Sequence, residues 1–127
     1  MITKAQEPGQ VSEDRAAEYL LSLGWRILDR NVKNKYGELD IVALDDDYEL
    51  VIVEVRARTL GKMQDPLESI GPRKLRALLR ASSEYVDGME WVKFWRIDVV
   101  GITMNNRKAP GDWELEHVRD ITAGIEL

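Results

Sequence analysis

The chain contains no cysteine. That excludes a disulfide framework, a thiolate zinc site and a cysteine nucleophile. Its one histidine, His117, excludes metal centres built from several histidines. No stretch approaches the roughly 20 apolar residues of a membrane span. The opening residues, MITKAQEPGQ, hold no apolar signal region, so a cytoplasmic protein with no membrane partner is expected. There is no P-loop, no dinucleotide fingerprint and no credible Ser-His-Asp arrangement. Repeats and low-complexity segments are absent as well.

What is present is an ordinary globular composition. Of 127 residues, 44% are hydrophobic and 32% charged, enough for one domain with a core that needs no disulfide or structural metal. The net charge is −5, which by itself argues against nucleic-acid binding. Its distribution is uneven. Residues 56–80 carry Arg56, Arg58, Lys62, Arg73, Lys74, Arg76 and Arg80 against Asp65 and Glu68. A local phosphate-binding surface and a solvated helix face both fit that concentration.

The pattern along the chain predicts α/β architecture in the order α-β-β-β-α-β-β: a single mixed β-sheet flanked by helices. Residues 1–11 read as a flexible tail and residues 12–127 as one domain. Ser12 is a candidate cap for a helix reaching Leu23, ended by Gly24. Ala16, Ala17, Leu20 and Leu23 form its apolar stripe, and Glu13 sits at the N-terminal end of that stripe. Strands are expected over Trp25–Arg30, Glu38–Leu44 and Glu49–Arg58, with DDDY at 45–48 as the turn between the last two. A Gly- and Pro-containing connection over 59–71 leads to Pro72, well placed in the first turn of a second helix. Leu75, Leu78, Leu79, Ser82 and Val86 give that helix an inward stripe. Arg73, Arg76 and Arg80 make a separate basic stripe, and Lys74 borders the apolar face with Leu78 and Ala81. Residues 91–102 and 113–121 complete the strands.

The hairpin over 38–58 carries the decisive geometry. Side chains alternate between the faces of a strand. Leu39, Ile41 and Ala43 share one face with Val51, Val53, Val55 and Ala57. Packing that face on a core sends Asp40 and Glu54 together to the other, provided the turn has an odd number of residues or a bulge. Asp40 then lies directly across from Glu54 or diagonal to it. Two adjacent carboxylates disfavour each other's ionisation, and a divalent cation would remove the penalty. Carboxylates with a backbone carbonyl suit Mg²⁺ or Mn²⁺. Equally, Glu54 could pair with Arg56, Arg58 or a lysine on a half-exposed sheet. Val42, Leu44, Leu50 and Ile52 share the same face, which predicts that a helix covers it.

Four segments, SEDRAAEYLLSLGWRILDRN, GELDIVALDDDYELVIVEVRAR, GPRKLRALLRAS and WRIDVV, resemble the YraN family of uncharacterised bacterial proteins in order and spacing. The resemblance runs from about Ser12 to the C-terminal HVRDI. It implies a restriction-endonuclease-like core related to the archaeal Holliday-junction resolvases. The nuclease signature of that fold, Asp then Glu-x-Lys on the next strand, falls on Asp40, Glu54 and Arg56. Glu13 matches an acidic residue on the first helix of the resolvase-like branch, and Lys74 a lysine of the second helix. The resemblance therefore implies Mg²⁺ or Mn²⁺ held by Asp40, Glu54 and the Val55 carbonyl, with Glu13 and Arg56 completing the catalytic set. It implies DNA, including branched DNA, as partner, with Arg58, Arg73, Lys74, Arg76 and Arg80 on phosphate, and a homodimer as the assembly.

Arg56 departs from the signature. Arginine grips phosphate bidentately but stays protonated and cannot serve as a general base. Arg56 can then act only as an electrostatic clamp, or Arg58 or Lys74 must compensate. The alternative is a catalytically degenerate nuclease fold acting as a non-enzymatic nucleic-acid or protein-binding module. Among the remaining candidates, Glu38 shares the Asp40 face and could add an oxygen or pair with Lys33 or Lys35. Asp98 is expected to brace the fold by hydrogen bonding. Asp45, Asp46 and Asp47 lack the later glycine and glutamate of an EF-hand and read as a turn. His117 is expected to be structural, and Trp25, Trp91, Trp95 and Trp113 to be core.

Overall fold

A computed structural model describes residues 8–61 and 70–122. Helix α1 spans Pro8–Ser22, and its buried side is Ala16, Ala17 and Leu20, as the apolar spacing predicts. The helix starts earlier than the capping signal suggests. Ser12 lies within it and is buried, so it is not the N-cap, and residues 8–11, expected in the tail, belong to the helix. Proline suits the first turn because its missing N–H has no partner there anyway. At the other end, Gly24 takes φ +86°, a conformation that favours glycine and closes the helix. Backbone bonds Gly24 N–H to Leu21 O and Trp25 N–H to Leu20 O complete the cap.

Five strands follow: β1 Arg26–Asn34, β2 Gly37–Leu44, β3 Leu50–Thr59, β4 Trp95–Met104 and β5 Glu114–Val118. Helix α2, Pro72–Val86, separates β3 from β4. The sheet runs β1-β2-β3-β4-β5. Only β3 and β4 are parallel, joined by the crossover that contains α2; the other neighbours are antiparallel. This is the expected mixed sheet. The differences lie at the ends: β1 continues to Asn34, β4 begins at Trp95 rather than residue 91, and β5 is confined to 114–118. Residues 1–7 of the expected tail, residues 62–69 of the expected connection with Lys62, Asp65 and Glu68, and residues 123–127 lie outside the described residues. Among the described helices, none is long and apolar enough to cross a membrane.

Both faces of the sheet are covered. On one, Ala16, Ala17 and Leu20 of α1 pack against Ile41, Ala43, Val51, Val53, Val100 and Ile102. On the other, Leu78 and Ala81 of α2 pack against Val42, Leu50, Ile52 and Ile97. The helix that the mixed face required is therefore α2. The β2–β3 register pairs Ile41 with Val53 and Leu44 with Leu50. Residues 45–49 thus form an odd-numbered turn, and the ladder ends at Ile41–Val53, one residue short of Asp40 and Glu54. One detail breaks the expected alternation. Leu39 packs with Val42 and Leu78, not with Ile41 and Ala43. The break falls at Asp40, where the ladder between β2 and β3 has ended.

Candidate metal and phosphate site

Asp40 stands where β2 and β3 part. Its Oδ2 accepts a 2.9 Å hydrogen bond from the Val55 amide. An extended residue projects its N–H and C=O toward the same edge, so the Val55 carbonyl faces this gap as well. Glu54, one residue earlier on β3, is only 4% exposed. Its Oε2 is buried and has no hydrogen-bond partner among the described residues. The Lys74 ammonium of α2 approaches that oxygen to 3.6 Å, an attraction too long to count as a hydrogen bond. Lys74 is placed by the neighbouring turns of α2, whose Leu78 and Ala81 anchor the helix to the sheet.

Burial above all, then the charge of Asp40 and a hydrogen bond between the two carboxyls, push the Glu54 carboxyl up to about 8 against the opposing pull of Lys74 and Arg56. Glu54 thus retains its proton into the neutral range. A site with two carboxylates, an unbonded buried oxygen and a carbonyl on one edge has the donor chemistry of Mg²⁺ or Mn²⁺. A divalent cation there would replace the Glu54 proton and remove the repulsion between the carboxylates.

The other sequence-predicted residues divide. Glu13 is buried, but its Oε1 already accepts from Arg30 Nε at 2.8 Å and Asn31 Nδ2 at 3.1 Å. Burial raises its pKa, Arg30 opposes that rise, and the charge of Asp40 adds to it. Glu13 therefore feels Asp40 without sharing its ligand position. Among the described residues, three acidic side chains come within 4.8 Å of one another at Asp45, Asp46 and Asp47, not at Glu13, Asp40 and Glu54. The triple aspartate is a turn, as expected: Asp45 Oδ1 accepts the Asp47 and Glu49 amides, both at 2.9 Å. Arg56 is half-buried on the Glu54 face. Arg58 donates to Thr103 Oγ1 at 3.1 Å, which directs it to the β4 edge. Arg73, Arg76 and Arg80 are exposed on α2, and Glu38 is exposed on β2.

Arg30 and Asn31 are the site-bordering residues that sequence reasoning missed. The available signal was weak: an Arg-Asn pair in a strand, with Asn31 at φ +54°, a conformation asparagine tolerates. A second missed assembly surrounds Asp98. This fully buried carboxylate accepts from Arg96 Nε at 3.0 Å and the Asp120 amide at 2.8 Å, and bonds His117 Nε2 at 2.8 Å. His117 Nδ1 in turn meets the Tyr19 hydroxyl at 2.8 Å. Asp98 thus braces β4, β5 and α1, and His117 is structural, as the sequence suggested. Trp25 and Trp113 are core, whereas Trp95 is half-buried and Trp91 is exposed. The expectation that all four tryptophans are core is corrected for those two: Trp91 precedes β4 and Trp95 starts it, so neither is enclosed by the sheet.

Comparison with known proteins places the chain. The uncharacterised protein family UPF0102 matches residues 12–102. A UPF0102 protein of Marinobacter nauticus is 45% identical over 97 residues, covering 75% of this chain and 77% of the relative. One from Chlorobaculum parvum is 36% identical over 115 residues, covering 87% and 88%. Among solved structures, an EndoMS–dsDNA2 complex aligns at TM-score 0.40 and 16% identity, covering 76% of this chain and 38% of the other. A repair endonuclease from Pyrococcus abyssi aligns at TM-score 0.39 and 18% identity, covering 75% and 39%. This chain therefore spans well under half the length of either of those structures. With a match over 91 consecutive residues and relatives covered along most of their length, the chain belongs to the UPF0102 family.

Proposed function

We propose that the protein is a metal-dependent nuclease of DNA, including branched DNA, with Asp40, Glu54 and the Val55 carbonyl as the metal ligands. The observation that carries this reading is Glu54 Oε2: a carboxylate oxygen, buried and without a hydrogen bond, beside a second carboxylate and a lysine. Buried polar atoms in folded proteins nearly always find partners, so an orphan in such company fits a ligand position. Mg²⁺ or Mn²⁺, when bound, supplies the charge that polarises a phosphodiester and acidifies water.

The chain's own residues then have distinct tasks. Asp40 is held in place by the Val55 amide. Lys74 comes from α2 to the Glu54 carboxylate, a place from which its ammonium can bind and orient a phosphate. Arg56 supplies a fixed positive charge on the same strand face and cannot accept a proton. Glu13, tied to Arg30, supports the strand next to Asp40 and does not ligate. Incubation of junction, flap and single-stranded DNA with Mg²⁺ or Mn²⁺ tests the proposal. Cleavage is expected from the native protein and not from an Asp40→Ala/Glu54→Ala variant; cutting that persists in that variant removes the assignment.

Arg56 favours a second reading, a degenerate nuclease fold that binds nucleic acid or protein without cutting. Arg56→Lys separates the two. A gain of cleavage from an inactive native protein identifies a degenerate site, and no gain supports a binding module.

A further inference from the structure

The outward face of α2 is only partly explained by the sheet beneath it. Leu78 and Ala81 are buried, but Leu75 and Leu79 are half-buried and border an open groove of about 830 Å³ with Tyr36 and Trp95. Four charged residues line the same groove: Arg76 and Arg80 toward the helix N-terminus, Glu84 and Asp87 toward the C-terminus. Among the described residues, none of the four side chains has an ion pair. Their order also opposes the helix macrodipole, which favours anions at the N-terminus and cations at the C-terminus. An isolated helix gains nothing from this arrangement.

Two such helices packed antiparallel about a two-fold axis do. Symmetry pairs each residue of one helix with a residue equally far on the other side of the axis. Arg76 with Asp87 and Arg80 with Glu84 have midpoints half a residue apart, about 0.75 Å along a helix. One axis beside Ser82 therefore serves both pairs, and the two-fold repeats each of them. A contact of this kind is isologous, the same patch used by both protomers. Nucleic acid fits the groove less well, because Glu84 and Asp87 repel phosphate along half its length.

We propose that this face of α2 is a self-complementary interface with a second copy of the chain, closed by Arg76–Asp87 and Arg80–Glu84 pairs over Leu75 and Leu79. Arg73 and Lys74 lie outside these pairs, so the interface leaves the Glu54 side of the helix free. The proposal stands apart from the nuclease reading, since it concerns the opposite side of α2.

Sedimentation of the full chain tests it. The native protein is expected at twice the 14.6 kDa chain mass. Arg76→Glu/Arg80→Glu and Glu84→Arg/Asp87→Arg are each expected to weaken association at least tenfold, with unchanged circular dichroism. Mixed in equal amounts, the two variants present opposite charges at every pair, and a heterodimer is expected to return. That rescue distinguishes a lost contact from a misfolded chain. A native protein that is monomeric at all concentrations overturns the proposal. So does a dimer that survives both reversals, or a mixture that stays monomeric. Loss of salt-dependent DNA binding in the Arg76→Glu/Arg80→Glu variant of a monomeric protein assigns the face to phosphate instead.

Discussion

Glu54 and Asp98 are both buried carboxylates on neighbouring parallel strands, and their surroundings are opposite. Asp98 receives bonds from Arg96, His117 and the Asp120 amide. Burial works to raise its pKa, yet those donors outweigh it and hold the carboxyl below its ordinary value of 3.8. Glu54 has one distant lysine, a second carboxylate beside it and an oxygen without a partner, and it is pushed up to about 8. Burial alone does not separate a structural carboxylate from a functional one. What separates them is whether the protein itself completes the donor set.

The contrast is broken most severely at Asp98. Asp98→Ala leaves the half-buried Arg96 without one of its carboxylates and His117 without its partner, and breaking a buried pair costs about 3–5 kcal/mol. Urea denaturation at pH 7 should show that loss; a loss under about 1 kcal/mol would mean that the network is not holding the strands.

At Glu54 the sign reverses. Its folded pKa lies above the unfolded value of 4.5. Its contribution to stability is thus fully present below about pH 4.5 and disappears as the pH rises through about 8. Glu54→Gln should abolish this decline and gain roughly 2–4 kcal/mol at pH 9 relative to the native chain. Asp98 titrates the other way: its contribution is present above 3.8 and is lost as the pH falls through its depressed folded pKa. A stability profile of Glu54→Gln parallel to the native one between pH 5 and 9 would contradict the raised pKa.

A cation sharpens the difference further. Ligand that binds only the folded state at 100 times its dissociation constant stabilises by about 2.7 kcal/mol. Mn²⁺ should raise the melting temperature of the native protein and not that of Asp40→Asn/Glu54→Gln, while Asp98→Asn should keep the response. Equal shifts in all three would place the ion elsewhere, for instance on the Asp45–Asp47 turn.

The smallest effect is expected at the edge of the Asp98 network. Tyr19→Phe removes the hydroxyl that meets His117 Nδ1 and should cost about 1 kcal/mol. Thermal melts should show this without altering the response to Mn²⁺.

The hairpin was legible because its information is local. Alternation in the sequence and an acidic turn specify a register, and the five-residue turn at 45–49 realises the odd count that pairs Ile41 with Val53. Lys74 was legible for a similar reason, since the spacing Lys74–Leu78–Ala81 sets it on the rim of the buried helix face. The start of α1 was misread because two signals competed. Ser12 looked like a cap, while Pro8, flanked by Gly9, was the actual entry to the helix. The reversal of Leu39 was not legible, because no local pattern marks the break at Asp40, whose carboxylate accepts from the Val55 amide of another strand.

From the chain of residues alone came the paired faces of β2 and β3 and the helix needed over the mixed face. Periodicity fixes these, because side chains from Ile41 onward alternate between the faces; Asp40 lies where that alternation breaks, its carboxylate held by the Val55 amide of the other strand. Tertiary structure alone decided which carboxylates are satisfied. Arg30 reaches Glu13 from 17 residues away, and His117 reaches Asp98 from another strand, whereas among the described residues no donor arrives at Glu54 Oε2 within hydrogen-bonding distance. The supply of donors depends on how distant elements pack, and no local pattern encodes it.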